Sequence, residues 1–370
     1  MGPEMAAAVP SRRLHRVDPP TTNRWSSANR EQDHACRHQL GAEDCGRGVK
    51  EGRDRLRRMN DVKLGALCWN QYTDWPSLLE AGKRADRLGY DTLWTWDHVY
   101  PIVGSADGPM LESWLTITAW AMATERVRIG LMVGANTFRE PSLVAKMATT
   151  LDHISNGRTI LGIGAAWFET EHLAFGFPFG SGFPERLRWL GEALPVIRGM
   201  LHGEEPTARG ERYHARQVRN DPPPIQSALP ILVGGDGEKV TLKLVAKYAD
   251  ACNIGDGIAN VRQKDAVLRQ HCVDVGRDER EIERTTGLGV VVIRDSREEA
   301  QRVFRSLFER NGGAPLWQDQ PVGTPEDVAE QLAPYLEIGY RHLIAGFPSP
   351  YDEESMTRLA TEVKPMLERT

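Results

Sequence analysis

Asp97 and His98 stand side by side where the apolar run 91–96 gives out. An imidazole placed there could transfer a proton or stabilise charge beside a bound ring. The neighbouring carboxylate could orient it, or accept a hydrogen bond from a cofactor hydroxyl. The plainer alternative is a histidine that only hydrogen-bonds the mouth of the fold. A second stretch, Gly234-Gly235-Asp236-Gly237-Glu238-Lys239, joins a short apolar run to a helix. Its free backbone N–H groups and the helix dipole converge on a spot that favours a phosphate, although a tight turn without a ligand would read the same way. Glu169, Glu171 and His172 follow a third apolar run and could reach a substrate, but they suit the solvated first turn of a helix better. Met132, Trp94, Trp96 and Trp167 could pave a pocket for a flat aromatic ligand. Only Trp167 lies beyond the end of its strand; the others alternate as barrel core does.

These residues need a scaffold that brings several strand ends to one rim. The stretch 127–172 contains one crossover of it: a β-branched run ending at Gly134-Ala135-Asn136, a helix, and a second buried run ending at Gly164-Ala165-Ala166-Trp167. Pro141 suits the helix's first turn, Leu143, Met147, Leu151 and Ile154 fall on one face, and Asn156-Gly157 stops it. Strand–helix–strand at this spacing is a right-handed parallel unit. The same alternation runs from Met59 onward. Strands are expected at Val62–Cys68, Asp91–Trp96, Ile231–Val233, Ala249–Ile254, Leu288–Ile293 and His342–Ala345. Helices are expected after Asp74, over 113–123, 296–310 and 352–367, and after the capping box at Thr324. Between strands four and five lies a long insertion: a Gly/Phe-rich loop, Phe175–Phe183, an amphipathic helix over 187–197 that Pro195 should kink or break, and a polar arm ending in Pro222-Pro223-Pro224. Eight units in this length give a (β/α)₈ TIM barrel, which places ligands at the C-terminal strand ends. A doubly wound sheet fits less well, because Gly162-x-Gly164-x-x-Trp167 lacks the third glycine of a dinucleotide fingerprint.

The 370 residues are 40% hydrophobic and 26% charged, which suits an ordinary globular protein. Neither an apolar run of membrane-spanning length nor a basic stripe is present, so no membrane or nucleic-acid partner is expected. The five cysteines are scattered and odd in number, and point to a reducing cytoplasm. Residues 1–58 carry 12 Lys+Arg against 8 Asp+Glu, a net of +4, which leaves −9 of the chain's −5 total for the rest. That segment lacks hydrophobic periodicity and reads as a disordered extension, with one barrel domain over 59–370. His34, Cys36, His38 and Cys45 fall there in no standard zinc spacing, so no metal is expected.

The pieces TLWTWDHVYP, RIGLMVGANTFREPSLVAKMATTLDHISNGRTILGIGAAWFETEHLAFG and PILVGGDGEKVTLKLVAKYADACNIG resemble the bacterial luciferase-like flavin and deazaflavin oxidoreductases. The resemblance covers essentially all of residues 60–350 and is closest to the branch that uses coenzyme F420, a 5-deazaflavin. It implies a (β/α)₈ barrel with an insertion before strand five, and a homodimer. It also implies that Asp97 contacts the cofactor and that His98 sits near its reactive C5 as acid, base or electrostatic stabiliser. A non-prolyl cis peptide would fall at Met132-Val133 and support the ring, with Ala135 and Asn136 along its pyrimidine side. Ala165 and Ala166 match cofactor contacts, and Gly234, Gly235, Gly237 and Glu238 match a phosphate cradle. The branch's sugar-phosphate dehydrogenases carry a catalytic glutamate where this chain has Trp167, so a sugar phosphate is not the expected substrate; Glu169 is a weak substitute. The implied activity is hydride transfer between the deazaflavin and a small organic molecule. Two alternatives are an FMN-dependent monooxygenase fed by a separate reductase, and a non-catalytic flavin-binding or partner-binding barrel. The loops Phe168–Pro184 and Tyr100–Pro109 would form a substrate lid.

Overall fold

Eight short strands pair in parallel, each with the next in the chain: β1 (Lys63–Cys68), β2 (Thr92–Thr95), β3 (Arg128–Leu131), β4 (Thr159–Gly164), β5 (Ile231–Gly234), β6 (Ala251–Asn253), β7 (Glu283–Val290) and β8 (His342–Phe347). β8 returns to β1, from Lys63 beside His342 to Cys68 beside Phe347, so the sheet closes into the expected (β/α)₈ barrel. These positions come from a computed structural model, which describes residues 61–313 and 319–369. The disorder expected of residues 1–58 lies outside the described residues, as do His34, Cys36, His38 and Cys45.

Helices α1 (Trp75–Arg87), α2 (Ser113–Ala123), α3 (Pro141–Ser155), α4 (Glu169–Phe175), α5 (Phe183–Leu201), α6 (Thr241–Tyr248), α7 (Gly257–Val275), α8 (Arg297–Arg310) and α9 (Pro325–Glu337) belong to the described part. Their starts follow the sequence signals. Asp74 accepts the Ser77 N–H at 2.8 Å, and Thr324 and Asp327 complete a reciprocal capping box. α4, α5 and a small antiparallel pair, 208–209 with 214–215, make up the insertion between β4 and β5.

Two apolar layers stabilise the barrel. Trp94, Ile160, Leu232, Ala251 and Ile344 fill its interior, and a larger core seals the strands against the helices. Trp94 is fully buried there and donates its indole N–H to Thr92 Oγ1 at 2.7 Å, so it paves no ligand pocket. The N-terminal end of the barrel is closed by polar groups. His342 sits between Thr92 Oγ1 (2.7 Å) and Glu283 Oε1 (3.1 Å), and Lys63 Nζ reaches the same carboxylate at 2.7 Å.

Three expectations need correcting. β7 begins at Glu283 rather than Leu288, while Val292–Ile293 leaves the barrel to pair with Val322–Gly323. Its first half escapes a hydrophobic pattern because its buried positions are polar: Arg284 donates to Asp265 at 2.9 Å and Thr285 to the Cys252 carbonyl at 2.9 Å. Pro195 does not break α5, which runs on to Leu201 because its core-facing residues, Leu190, Leu194 and Ile197 among them, are buried on both sides of the proline. On α3 the buried face is Val144, Ala145, Ala148 and Leu151, whose small residues let the helix sit close to the strands. Leu143 and Ile154 instead remain exposed.

Candidate active site

The C-terminal ends of β2 to β6 surround a cavity of about 360 Å³. From β2 it is lined by Trp96, Asp97 and His98; from the end of β3 by Met132 to Ala135; from β4 by Gly164 to Trp167; and from β5 by Gly234 to Gly237. Thr241 at the start of α6 and Asn253 on β6 complete the lining together with Ile102, Phe183 and Leu190. The residue types at strand ends thus meet at one place, as the barrel argument required.

After β3 the chain bulges at Met132 and Val133, then pairs again, Gly134 with Ile163 and Ala135 with Gly164. The Met132–Val133 peptide is cis, at the position the resemblance implied. Val133 projects between the ends of β4 and β5. A Cβ on Gly164 or Gly234 would lie 2.8 Å from its methyls, so only glycine leaves room there.

Asp97 is 2% exposed, and its carboxylate accepts three hydrogen bonds. Oδ2 accepts the Ala135 N–H at 2.9 Å and Arg139 Nη1 at 2.7 Å, and Oδ1 accepts the Ser113 hydroxyl at 2.6 Å. Arg139 in turn reaches Glu112 Oε1 at 2.9 Å. Asp97 therefore secures the bulge to β2 and α2 and does not orient His98. That task falls to Glu171. Its Oε1 lies 2.7 Å from His98 Nδ1, and its Oε2 accepts the Val99 N–H at 2.9 Å. Glu171 is 1% exposed, which overturns the expectation of a solvated first turn. His172 is buried as well, its Nδ1 on the Phe168 carbonyl and its Nε2 on Thr137 Oγ1, each at 2.7 Å. Burial lowers the His172 pKa against the opposing pull of the Phe168 carbonyl, which suits a neutral ring that ties α4 to the loop after β3. Of the three, Glu169 alone is exposed, and it stands outside the cavity lining.

Asn136 and Glu238 also stand outside the lining. Asn136 is buried against the insertion: its Nδ2 donates to Tyr213 Oη at 3.2 Å, and that hydroxyl donates to the Asn136 carbonyl at 2.7 Å. Glu238 accepts from Lys264 Nζ at 2.9 Å and Gln263 Nε2 at 2.8 Å, and both bonds hold its carboxyl below the usual range. Gly234, Gly235 and Gly237 do line the cavity, and Gly235 has φ +116°, a conformation that favours glycine. Trp167 is 56% exposed at the rim, edge-on to His98 with ring centroids 5.6 Å apart.

Residues 63–321 match the luciferase-like monooxygenase family. The chain belongs to that family. Among luciferase-like relatives, an F420-dependent glucose-6-phosphate dehydrogenase of Amycolatopsis mediterranei is 25% identical over 78% of this chain and 94% of its own length. A 4-hydroxyprotoasukamycin monooxygenase of Streptomyces nodosus subsp. asukaensis is 31% identical over 47% of this chain and 45% of its own. Among solved structures, an F420-dependent secondary alcohol dehydrogenase superposes with a TM-score of 0.71 at 21% identity, covering 83% of this chain and 99% of that one. A long-chain alkane monooxygenase gives 0.68 at 17%, covering 84% and 91%. The luciferase-like fold is therefore shared by deazaflavin-dependent and oxygen-using enzymes. Among the described residues no helix is long and apolar enough to cross a membrane, and no cluster of three His, Cys, Asp or Glu could hold a metal.

Proposed function

We propose that this protein is a coenzyme F420-dependent oxidoreductase that transfers a hydride between the deazaflavin C5 and a small organic substrate. The observation that carries the reading is that His98 faces the same cavity as the glycine turn at Gly234–Gly237. A deazaflavin fits the residues present. The Met132–Val133 bulge and Ala165–Ala166 offer an apolar wall to a flat ring, and Gly235 and Gly237 beside Thr241 offer a turn open to a phosphate. When bound, the deazaflavin supplies a two-electron hydride at C5. His98 would hold or deliver a proton at the imidazole edge that faces the cavity. Asp97 would act through the bulge, fixing Ala135 against β2.

Support for the deazaflavin over FMN comes from the dehydrogenase relatives, which align over far more of the chain than the monooxygenase does. The test is a pair of titrations with coenzyme F420 and FMN, followed by the fluorescence of Trp96 and Trp167, both of which line the cavity. Saturable quenching by the deazaflavin at concentrations where FMN is silent is the expected result. The reverse would make the protein a monooxygenase fed by a separate reductase, and silence with both would leave a non-catalytic barrel.

Two further expectations belong to this reading. The homodimer would cover apolar side chains that α2 and α3 leave exposed, Leu115, Met122 and Leu143 among them. A monomer in sedimentation analysis would remove it. Cys68, Cys252 and Cys272 are free and buried, which suits a reducing cytoplasm.

A further inference from the structure

The buried carboxylate of Glu171 touches the one histidine that lines the cavity. Its two oxygens are used differently. Oε2 is fixed by the Val99 N–H at 2.9 Å, which leaves Oε1 aimed at His98 Nδ1 at 2.7 Å. Among the described residues no other cation pairs with Glu171. A carboxylate that is 1% exposed, with one neutral N–H on Oε2, is stabilised when the imidazole gives Oε1 a proton to accept. With Glu171 ionised, Nδ1 carries that proton in both charge states of the ring, because an Nδ1 lone pair facing a carboxylate oxygen would repel it. His98 lines the cavity and Glu171 does not, so Nε2 is left for whatever the cavity holds. The edge-on packing of Trp167 and Phe168 against the ring, at 5.6 and 6.2 Å, limits its rotation.

We propose that Glu171 is the positioning residue of this site: it fixes His98 in the tautomer with the proton on Nδ1 and Nε2 turned to the cavity, and it stabilises the imidazolium when Nε2 takes up a second proton. Nε2 then exchanges the proton of the reaction while Nδ1 stays bound to Glu171, the role a buried carboxylate plays beside a catalytic histidine elsewhere. The catalytic consequence rests on the hydride-transfer reading above; the tautomer does not.

The experiment is therefore read first without cofactor. In ¹⁵N-labelled wild-type protein free of cofactor, the neutral His98 ring should show a protonated Nδ1 and an unprotonated Nε2. An Nε2-protonated neutral ring would overturn the proposal whether or not the protein uses a deazaflavin. Because this reading needs no variant, it stands even if a substitution fails to fold. In Glu171→Gln the amide can present either its oxygen or its NH₂ to Nδ1, and a mixture of the two tautomers is expected. With coenzyme F420 and a turned-over substrate, Glu171→Gln should lower kcat by about 10²-fold or more with KM within about threefold, and Glu171→Asp should recover part of that loss. A fall in kcat/KM carried by KM alone would show that Glu171 only shapes the pocket.

Discussion

Asp97 Oδ2 accepts the Ala135 N–H at 2.9 Å and the Arg139 guanidinium at 2.7 Å, so one buried carboxylate joins the end of β2 to the bulge after β3. Removing it strands three donors: the Ala135 N–H, the Ser113 hydroxyl and one arm of Arg139. Asp97→Ala is expected to cost about 3–5 kcal/mol, the range for breaking one side of a buried ion pair. Urea unfolding measures this, and a loss below about 1 kcal/mol would show that the network contributes little.

His98→Ala removes the only imidazole of the cavity lining but little apolar area. Turnover should fall by about 10²-fold or more while deazaflavin affinity changes by less than about fivefold. Equal losses in both would move His98 to a binding role.

Glucose 6-phosphate should not be oxidised. The cavity lining holds two carboxylates, Asp97 and Asp236, and neither a lysine nor an arginine to meet a sugar's phosphate. Loss of the oxidised deazaflavin's visible absorbance on adding this sugar would contradict the reading.

Glu283 gives the barrel floor a signed dependence on pH. Burial raises its pKa, but hydrogen bonding and charge from His342 and Lys63 outweigh that and bring the carboxyl down to about 2 from 4.5. A folded-state value below the unfolded one contributes stability that is present above about pH 4.5 and is lost as the pH falls towards 2. The stability difference between wild type and Glu283→Gln should therefore be larger at pH 5 than at pH 3; a constant difference would remove the ion pair from the acid response.

Deleting residues 1–58 should leave the melting temperature and cofactor binding of the remaining chain unchanged, since the first strand begins at Lys63. A lower melting temperature would show that the segment packs on the barrel.

The barrel was legible because each strand end carries its own punctuation: Asp97-His98 after an apolar run, Gly164 before Ala165, Gly234-Gly235 before a helix. β7 was half hidden, because Arg284, Thr285 and Thr286 fill buried positions that a hydrophobic pattern assigns to the surface. The site was legible by position and not by orientation. Asp97 and His98 are neighbours in sequence, yet their partners come from different segments, Arg139 before α3 for one and Glu171 on α4 for the other. No spacing rule separates a buried Glu171 from an exposed Glu169 two residues earlier. Only the approach of the Val99 N–H in three dimensions does so. Tyr213 escaped notice for the same reason, lying 77 positions from the Asn136 it bonds.

The seven residues of α4 carry Glu171, held against His98, and also Leu173 and Phe175, both exposed. If Glu171 has the role proposed above, one short helix carries both the residue that holds His98 and two apolar side chains at the surface. Grafting this segment from a relative would exchange both together, and a chimaera meant to alter only the exposed pair would need its cut placed after His172.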